Sequence, residues 1–371
     1  MPRKTDLGTE WMKLLWPGVF AAEAGAFLAR GMLEGLRAPP EPMPQREAVW
    51  ATPNEIVLQL DSARLRRFGP APKRQGSKWH GPRPVLVCAP FALHDARIAD
   101  LCEGHSLIAS LLAGGGPVYL VEWLSAGRTQ AFRRIDDYLS DLNVMVDEIG
   151  TRCDFVGMCQ GGWLGLIYAA RFPAKAGRLV VAAAPVDTHI VDSPLSALAR
   201  STPMETFHEL VELGEGLACG SRAQRLWGLM AETPEQIHDL LQSDLPLDSE
   251  RFAAQADLFQ AWSESPLDLP GVYYLEVVER LYKGNQLARG EFVALGKKID
   301  LHDIRRPLFL IAARDDEVTA PEQTLACARL VGTPAKSIRE VIVPGGHLHL
   351  FLGSRALEGL WPDVTAWLGA P

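Results

Sequence analysis

Short runs of apolar residues alternate with segments of helical periodicity from about residue 54 to residue 185, and two further apolar runs follow near the C-terminal end. Continuous apolar runs of strand length are typical of strands buried on both faces of a parallel sheet. The predicted strands are 85–89, 118–123, 153–156, 307–313 and 338–343, and 307–313 is a continuous apolar run. The alternation of strands and helices therefore predicts an α/β fold, with a mostly parallel central sheet and helices on both of its faces.

Two segments depart from this alternation. From about residue 189 to 298 the spacing of Leu, Trp and Phe is mainly helical and prolines interrupt it, which predicts a helical cap inserted before the last strands. The N-terminal part has apolar residues at helical spacing on both sides of Pro17, and a proline-rich stretch follows. We therefore predict an N-terminal amphipathic helical arm with a linker over residues 1–53, and a main domain over residues 54–371 that carries the cap.

A glycine-rich turn carries a cysteine between the third predicted strand and a predicted helix over residues 163–172. Its sequence is Gly157-Met158-Cys159-Gln160-Gly161-Gly162. A nucleophile elbow holds its nucleophile on a strained turn between a strand and a helix, and the glycines beside it leave room for the backbone. The pattern predicts that Cys159 is a nucleophile for acyl transfer. The alternative is a structural cysteine, because free cysteines are among the most buried residues.

Acidic residues and histidines follow the last two predicted strands, in the order nucleophile, acid, histidine that the α/β-hydrolase fold uses. Asp315 and Asp316 come after the fourth predicted strand, and His347 and His349 after the fifth. We predict Asp316 as the acid, because an aliphatic residue follows it two positions later. We predict His347 as the base, because a glycine precedes it directly. Asp315 and His349 stay open as alternatives.

Acyl transfer also needs hydrogen-bond donors for the oxyanion that develops during the reaction. The backbone amide of Gln160, at the N-terminal end of the predicted helix, is the first candidate. A second donor normally comes from the loop after an earlier strand, which here indicates the amide of Phe91 or Ala92. The predicted oxyanion hole therefore consists of Gln160 with Phe91 or Ala92.

Together these motifs give the chain a resemblance to the polyhydroxyalkanoate (PHA) synthase family, and within it to the short class III catalytic subunit. The resemblance covers roughly residues 80 to 368 and is weakest between 190 and 255. It depends on the segments 100–123, 136–138, 157–162, 281–307 and 346–368. The chain departs from the family pattern at Thr188 and His189, in the acid that follows Trp262, and at His349.

The resemblance implies an acyltransferase that polymerises 3-hydroxyacyl-CoA into polyhydroxyalkanoate through a covalent acyl-cysteine. Cys159 would be the nucleophile, His347 the general base and Asp316 the residue that orients the imidazole. Attack of a thiolate on a CoA thioester gives another thioester, so the acyl group stays activated until the hydroxyl of the growing chain attacks it. Besides the CoA thioester substrate we expect no cofactor. The expected partners are the polyester chain, a second synthase subunit or a second copy of this chain, and a granule surface.

Two other functions stay open on the same scaffold. The first is a hydrolase, either an intracellular polyhydroxyalkanoate depolymerase or an acyl-CoA thioesterase, in which water reaches the acyl-cysteine. The second and weaker alternative is a non-catalytic granule-associated protein, which would need no acid and histidine in this order.

Composition narrows the function classes further. The chain has 371 residues, of which 47% are hydrophobic, and its formal net charge of -8 argues against a nucleic-acid-binding surface. The six cysteines form no CxxC pair and no zinc-like spacing with histidines, so we expect a reducing compartment and no metal site. Neither a signal peptide nor a transmembrane segment is predicted, and the expected location is the cytoplasm, including the surface of polyester granules.

A CoA substrate carries phosphates and needs positive charge nearby. The candidate sources are Arg280, Lys283, Lys297 and Lys298. The alternative for each of them is an ordinary solvated surface charge.

Overall fold

The computed structural model describes residues 49–70, 74–75, 78–79, 81–226, 234–241 and 249–370. Nearly all of the predicted N-terminal arm and linker therefore lies outside the described residues. Within the described part of the chain, no helix is both long enough and apolar enough to cross a membrane.

In the residues that the structure describes, the main domain is organised by a central sheet of eight strands. Its strands are β1 (Asn54–Gln59), β2 (Ala63–Phe68), β3 (Val85–Cys88), β4 (Val118–Trp123), β5 (Cys153–Met158), β6 (Ala176–Ala182), β7 (Leu308–Ala313) and β8 (Ile338–Val343). Their order across the sheet is β1-β2-β4-β3-β5-β6-β7-β8. β2 pairs antiparallel with both β1 and β4, whereas the other pairings are parallel. The predicted mostly parallel sheet is confirmed.

The α-helices connect these strands and form the region between β6 and β7. They are α1 (Leu107–Leu112), α2 (Ile135–Ile149), α3 (Gln160–Arg171), α4 (Pro194–Ser201), α5 (Met204–Leu213), α6 (Gly220–Leu226), α7 (Pro234–Leu241), α8 (Ser249–Ser263), α9 (Gly271–Glu276), α10 (Pro321–Leu325), α11 (Cys327–Leu330) and α12 (Trp361–Gly369). A π-helical segment, Val277–Lys283, continues α9, and another, Ala356–Leu360, precedes α12.

Short ladders and 3-10 turns complete the described structure. The ladders pair Arg74–Gln75 with Lys78–Trp79, Asp100–Cys102 with His105–Ser106, Leu217–Ala218 with Leu269–Pro270, and Val293–Ala294 with Lys297–Lys298. The 3-10 turns are Ala96–Ala99, Arg128–Gln130, Leu301–Asp303, Ala335–Ser337 and Leu348–Leu350.

The alternation of side chains along the buried strands divides the core into two layers, one on each face of the sheet. In β3, Leu86 and Cys88 pack in one hydrophobic cluster, whereas Val85 and Val87 pack in the other. The first cluster also contains the apolar faces of α2 and α3, and the second contains those of α1 and α12. Helices therefore cover both faces of the sheet, as the sequence predicts.

The chain between β6 and β7 is mainly helical and contacts the loop that follows β3. The backbone amide of Leu267 donates a hydrogen bond to the carbonyl of Leu93 over 2.6 Å. The indole Nε1 of Trp262 donates to the carbonyl of Asp95 over 3.1 Å. These contacts place the helical segment beside the carboxyl ends of the parallel strands. The exact limits of a cap over about 189–298 stay a prediction.

Candidate active site

Cys159 lies on the sharp turn between the end of β5 and the start of α3. Its backbone has φ 50° and ψ -117°, a strained conformation that residues other than glycine rarely adopt. Its amide donates to the carbonyl of Ala182 over 2.8 Å, and its own carbonyl accepts from the amide of Gly162 over 2.9 Å. This is the geometry of a nucleophile elbow, in which the side chain stands above the carboxyl edge of the sheet.

Two glycines make this turn possible. A Cβ on Gly157 would lie 2.4 Å from the Cα of Gly162, on the opposite side of the turn. A Cβ on Gly161 would lie 1.9 Å from the carbonyl oxygen of Cys88, in the neighbouring strand β3. Both distances are shorter than any ordinary van der Waals contact, so only glycine lets α3 begin this close to the sheet.

Asp316 and His347 come together on the loops that follow β7 and β8. The Nδ1 atom of His347 lies 2.8 Å from Oδ2 of Asp316. The other carboxylate oxygen of Asp316 accepts hydrogen bonds from the amides of Val318 and Thr319, each over 2.8 Å. The Asp316 side chain has no exposed surface, and that of His347 is 12% exposed. The loop backbone therefore holds the carboxylate in place, and the carboxylate orients the imidazole.

The two alternative residues make different contacts. Asp315 is exposed, and one of its carboxylate oxygens accepts from the amide of Gly345 over 3.3 Å. His349 contacts Asp239 of α7 over 3.2 Å through Nε2, and its Nδ1 accepts from the amide of Gly346 over 3.2 Å. Of the two candidate acids and two candidate histidines, the structure pairs Asp316 with His347. Their catalytic roles, with that of Cys159, stay a prediction.

The charges around His347 determine its pKa. Burial on its own lowers the pKa of an imidazole. The negative charges of Asp316 and of a Cys159 thiolate, together with hydrogen bonds to both side chains, outweigh burial and hold the pKa of His347 well above its ordinary value. A protonated His347 beside Cys159 is thus a favoured state. A thiolate paired with an imidazolium is the activated form of a cysteine nucleophile.

The other cysteines have a different environment. Burial raises the pKa of each of them, and it raises the pKa of Cys88 and Cys327 to about 12. A thiol with a pKa this high is almost entirely protonated at neutral pH and is a poor nucleophile. All six cysteines are free of disulfides. In the described residues, no group of three or more His, Cys, Asp or Glu side chains is arranged to hold a metal ion.

The predicted oxyanion donors flank Cys159. Gln160 is the first residue of α3, so its amide lies at the positive end of the helix dipole. Phe91 follows β3 and is 2% exposed, with its ring packed 4.8 Å from that of Tyr138 and 5.2 Å from that of Tyr273. Ala92 lines the cavities beside Cys159. The assignment of these amides to an oxyanion hole stays a prediction.

An apolar cavity of about 90 Å³ lies on one side of Cys159. Aromatic and aliphatic side chains from the segment after β6 form most of its wall, including Tyr273, Val277 and Tyr282. Burial raises the pKa of both tyrosines, so their phenols stay protonated at neutral pH. The hydroxyl of Tyr273 lies 3.3 Å from Oε1 of Gln160. This cavity suits an apolar group attached to the thiol.

A second cavity, of about 160 Å³, lies on the side of Cys159 where His347 is found. Ala92, Leu93, Cys159 and Val318 line both cavities. His94 and Trp262 belong to the second cavity alone. Both cavities therefore reach Cys159, and His347 lines only the second of them.

Several of these residues were not singled out from the sequence. His94 lies only two residues after the predicted oxyanion donors, and that proximity is the one local signal for it. Tyr273 comes from the mainly helical segment, where an aromatic residue at helical spacing more often indicates core packing than a site. Tyr282 lies in a segment of family resemblance, but nothing in its local sequence predicts that it lines a cavity.

The four basic residues considered for CoA binding lie elsewhere. Arg280 stacks 3.8 Å above the ring of Phe292, and Lys283 donates to the carbonyl of Arg200 over 3.1 Å. Lys297 and Lys298 are exposed residues of a short ladder. None of the four is among the residues that line the two cavities at Cys159. A role for them in binding CoA phosphates stays a prediction.

Comparison with known proteins places these features in context. A family model described as "PHB de-polymerase C-terminus" matches residues 231–370. The poly(3-hydroxyalkanoate) polymerase subunit PhaC of Synechocystis sp. is 28% identical over 336 residues, which cover 85% of this chain and 84% of that protein. The subunit of the same name from Allochromatium vinosum is 26% identical over 326 residues, covering 85% of this chain and 88% of its own length. The predicted resemblance to the polyhydroxyalkanoate synthase family is confirmed.

Solved structures identify the fold. A soluble variant of the monoglyceride lipase of Saccharomyces cerevisiae aligns with a TM-score of 0.53 at 15% identity, over 89% of this chain and 98% of the lipase. The monoacylglycerol lipase of Paleococcus ferrophilus aligns with a TM-score of 0.52 at 16% identity, over 78% of this chain and 96% of the lipase. The predicted α/β-hydrolase fold is confirmed.

Proposed function

We propose that this chain is a polyhydroxyalkanoate polymerase that extends the polyester through a covalent acyl-cysteine on Cys159. The main support is a similarity to polymerase subunits that covers 85% of the chain, and a cysteine stands at the elbow within it. The substrates under this proposal are 3-hydroxyacyl-CoA and the growing polyester. A second synthase subunit, a second copy of this chain and a granule surface are proposed partners on the basis of the resemblance alone.

The first half of the reaction is transfer of the acyl group from CoA to the thiol. The Cys159 thiolate attacks the thioester carbonyl, and the amides of Gln160 and of Phe91 or Ala92 stabilise the oxyanion. The intermediate collapses by breaking the bond between carbon and the CoA sulfur, and the CoA thiolate takes the proton held by His347. Asp316 keeps that imidazole in the orientation and tautomer that this transfer requires.

The second half transfers the acyl group to a hydroxyl. The thioester on Cys159 stays as activated as the CoA donor, which a serine ester would not. His347, now neutral, removes the proton of the incoming hydroxyl as its oxygen attacks the acyl carbonyl, and Cys159 leaves as the thiolate. The product is a new ester bond and a restored thiolate–imidazolium pair. The two cavities support this sequence, because the apolar one can hold the alkyl part of the acyl group while the incoming hydroxyl approaches through the second cavity, beside His347.

A hydrolase is the second candidate, and the description of the matching family model favours it. That model is named for a depolymerase, and its match covers β7, β8 and the loops that carry Asp316 and His347. In a hydrolase, water would take the place of the hydroxyl in the second half of the reaction. The two functions share Cys159, His347 and Asp316, so only the products distinguish them.

The experiment is to incubate the purified chain with 3-hydroxybutyryl-CoA, follow CoA release, and separate polymer from free 3-hydroxybutyrate. Intact mass and peptide mapping would detect the acyl group on Cys159. We expect oligomer or polymer and an adduct that Cys159→Ala abolishes. Cys219→Ala, which changes a cysteine that is only partly buried, is the control and should keep full activity. Free acid as the main product would favour the hydrolase, and unchanged turnover in Cys159→Ala would contradict both.

A further inference from the structure

His94 is a second imidazole in the cavity that contains Cys159 and His347. It lies on the loop after β3, on the side of the cavity formed with Trp262 and Gln224. The acyl-transfer steps derived above do not use it. It is thus a titratable side chain close to both Cys159 and His347 that has no role in the proposed reaction.

The contact between His94 and Ser263 selects one tautomer of the His94 ring. Its Nε2 lies 3.0 Å from the backbone carbonyl oxygen of Ser263, at the end of α8. Nε2 of Gln224 approaches the same oxygen to 3.3 Å, and the two nitrogens lie 2.8 Å apart. Because a carbonyl oxygen can only accept, the contact to Ser263 makes Nε2–H of His94 a donor. Gln224 fits this tautomer with its amide turned over, so that Oε1 instead of the nitrogen faces Nε2–H, and Nδ1 of the neutral ring is then a hydrogen-bond acceptor. Nδ1 has no hydrogen-bond partner in the described part of the chain.

Packing fixes the position of the ring. The imidazole lies 4.5 Å from the ring of Trp262, measured between centroids. Trp262 in turn donates to the carbonyl of Asp95, so the loop after β3 and the end of α8 hold each other in place. Burial lowers the pKa of His94, while the Ser263 hydrogen bond and the charge of Asp95 oppose this only in part. The neutral ring, with its acceptor nitrogen, is therefore the form present at neutral pH.

We propose that His94 positions the substrate, with Nδ1 accepting a hydrogen bond from the 3-hydroxyl of the acyl group that is transferred to Cys159. A CoA thioester without that hydroxyl has nothing to donate to Nδ1. Under this proposal His94 recognises the hydroxyl, whereas His347 transfers the proton. This inference rests on the proposed function, because it concerns the substrate of the same site.

Two substitutions of His94 test the roles of its two ring nitrogens one at a time. His94→Gln places its amide near the position of Nε2, so it can keep the hydrogen bond to Ser263 while removing the acceptor at Nδ1. His94→Asn places an amide oxygen near the position of Nδ1, so it keeps the acceptor while losing the bond to Ser263. The pair therefore tests the acceptor separately from the packing of the loop.

The test is the rate of Cys159 acylation, followed by mass spectrometry in single turnovers, with 3-hydroxybutyryl-CoA and with butyryl-CoA. In His94→Gln we expect the acylation efficiency for 3-hydroxybutyryl-CoA to fall roughly tenfold, the effect of one lost hydrogen bond, and that for butyryl-CoA to change less than about twofold. In His94→Asn the preference for the hydroxylated thioester should be kept.

An equal change with both thioesters in His94→Gln, or no change with either, would overturn the role of His94. Loss of the preference in both variants would overturn the assignment to Nδ1. The proposed function is tested separately by the unsubstituted chain in the same assay. If that chain forms no acyl-Cys159 with either thioester, the proposed function is wrong, whatever the variants do.

Discussion

The Nδ1 atom of His347 lies 2.8 Å from Oδ2 of Asp316, although the two residues stand on the loops of different strands. Because two backbone amides saturate the other oxygen of Asp316, the carboxylate cannot rotate away from the imidazole. Nδ1–H must then donate to Asp316, which leaves Nε2 available for the proton exchange with Cys159 that we propose. The order of residues along the chain predicts a pair of an acid and a histidine. The geometry shows that the pair is Asp316 with His347, and not Asp315 or His349.

The neighbouring aspartates provide the first prediction. Asp316→Asn should lower the rate of CoA release roughly 100-fold or more, because an amide donor opposite Nδ1 stabilises the wrong tautomer of His347. Asp315→Asn, one residue earlier and exposed, should change the rate less than about threefold, the effect of one weakened surface hydrogen bond. Initial rates with 3-hydroxybutyryl-CoA would measure both. Equal losses in the two variants would mean that the acid has been assigned to the wrong residue.

The second prediction concerns the reactivity of Cys159. His347→Gln should slow alkylation of Cys159 by iodoacetamide at pH 7 by roughly tenfold or more, because a free thiol is only a few per cent ionised at this pH. His349→Gln, which changes the neighbouring histidine, should react at nearly the unsubstituted rate. Peptide mapping over time would give the rates, and the cysteines whose pKa burial raises serve as slow internal references. Identical Cys159 rates in all three proteins would contradict an activated thiol.

The sequence predicts those features of this site that depend on residues close together in the chain. The elbow around Cys159 needs a strand, a tight turn and a helix in direct succession, and glycines at 157 and 161 mark the places where a side chain cannot fit. The strand pattern likewise predicts that Asp316 and His347 each follow a strand and lie at the same edge of the sheet. For the elbow and for each of these two strands, a short window of sequence contains the physical reason.

The parts that the sequence does not predict depend on contacts between distant segments. His94 is held by Ser263, which lies 169 positions later in the chain. Tyr273 contacts two of the predicted oxyanion donor residues, Phe91 and Gln160, which are separated from it by 182 and 113 positions. Neither hydrophobic periodicity nor a sequence motif predicts such contacts, because they form only when the segment between β6 and β7 packs over the edge of the sheet.

The third prediction tests the need for glycine at the start of α3. Gly161→Ala should destabilise the fold by about 3 kcal/mol, because its methyl group would meet the Cys88 carbonyl at 1.9 Å and neither backbone segment can move away. Gly165→Ala, in the same helix, should stabilise it by about 0.5–1 kcal/mol. The closest atom to that methyl group would be Cδ1 of Phe155, at an ordinary 3.8 Å. Urea unfolding would measure both changes, and a similar loss in the two variants would contradict the steric account.

The fourth prediction concerns stability as a function of pH and starts from a buried imidazole away from the active site. His105 is 2% exposed, and its Nδ1 lies 2.7 Å from the carbonyl oxygen of Leu352, to which it must donate. Burial lowers the pKa of His105, and the charge of Arg251 lowers it further. Hydrogen bonds to Leu352 and Gln255 and the charge of Glu358 oppose this only in part.

The sign of the effect follows from which state binds the proton. In the unfolded chain a histidine titrates near 6.5, whereas folded His105 titrates at a lower pH. Between these two values the unfolded state binds more protons, so the free energy of unfolding decreases as the pH falls below about 6.5. Below the folded pKa both states are protonated, and the contribution of His105 stops changing.

His105→Asn isolates this contribution, because its amide nitrogen can replace Nδ1 as the donor to Leu352 but does not titrate. The free energy of unfolding of the unsubstituted chain should therefore fall relative to that of the variant as the pH goes from 7 to 5, by up to about 1.4 kcal/mol per pH unit. Urea unfolding at several pH values would measure the free energy of unfolding of both proteins. In the difference between them, the contributions of all other titrating groups cancel. If the free energies of unfolding of the two proteins vary with pH in parallel over this range, the pKa of His105 is the same in the folded and unfolded chain. The burial of His105 would then have no electrostatic cost.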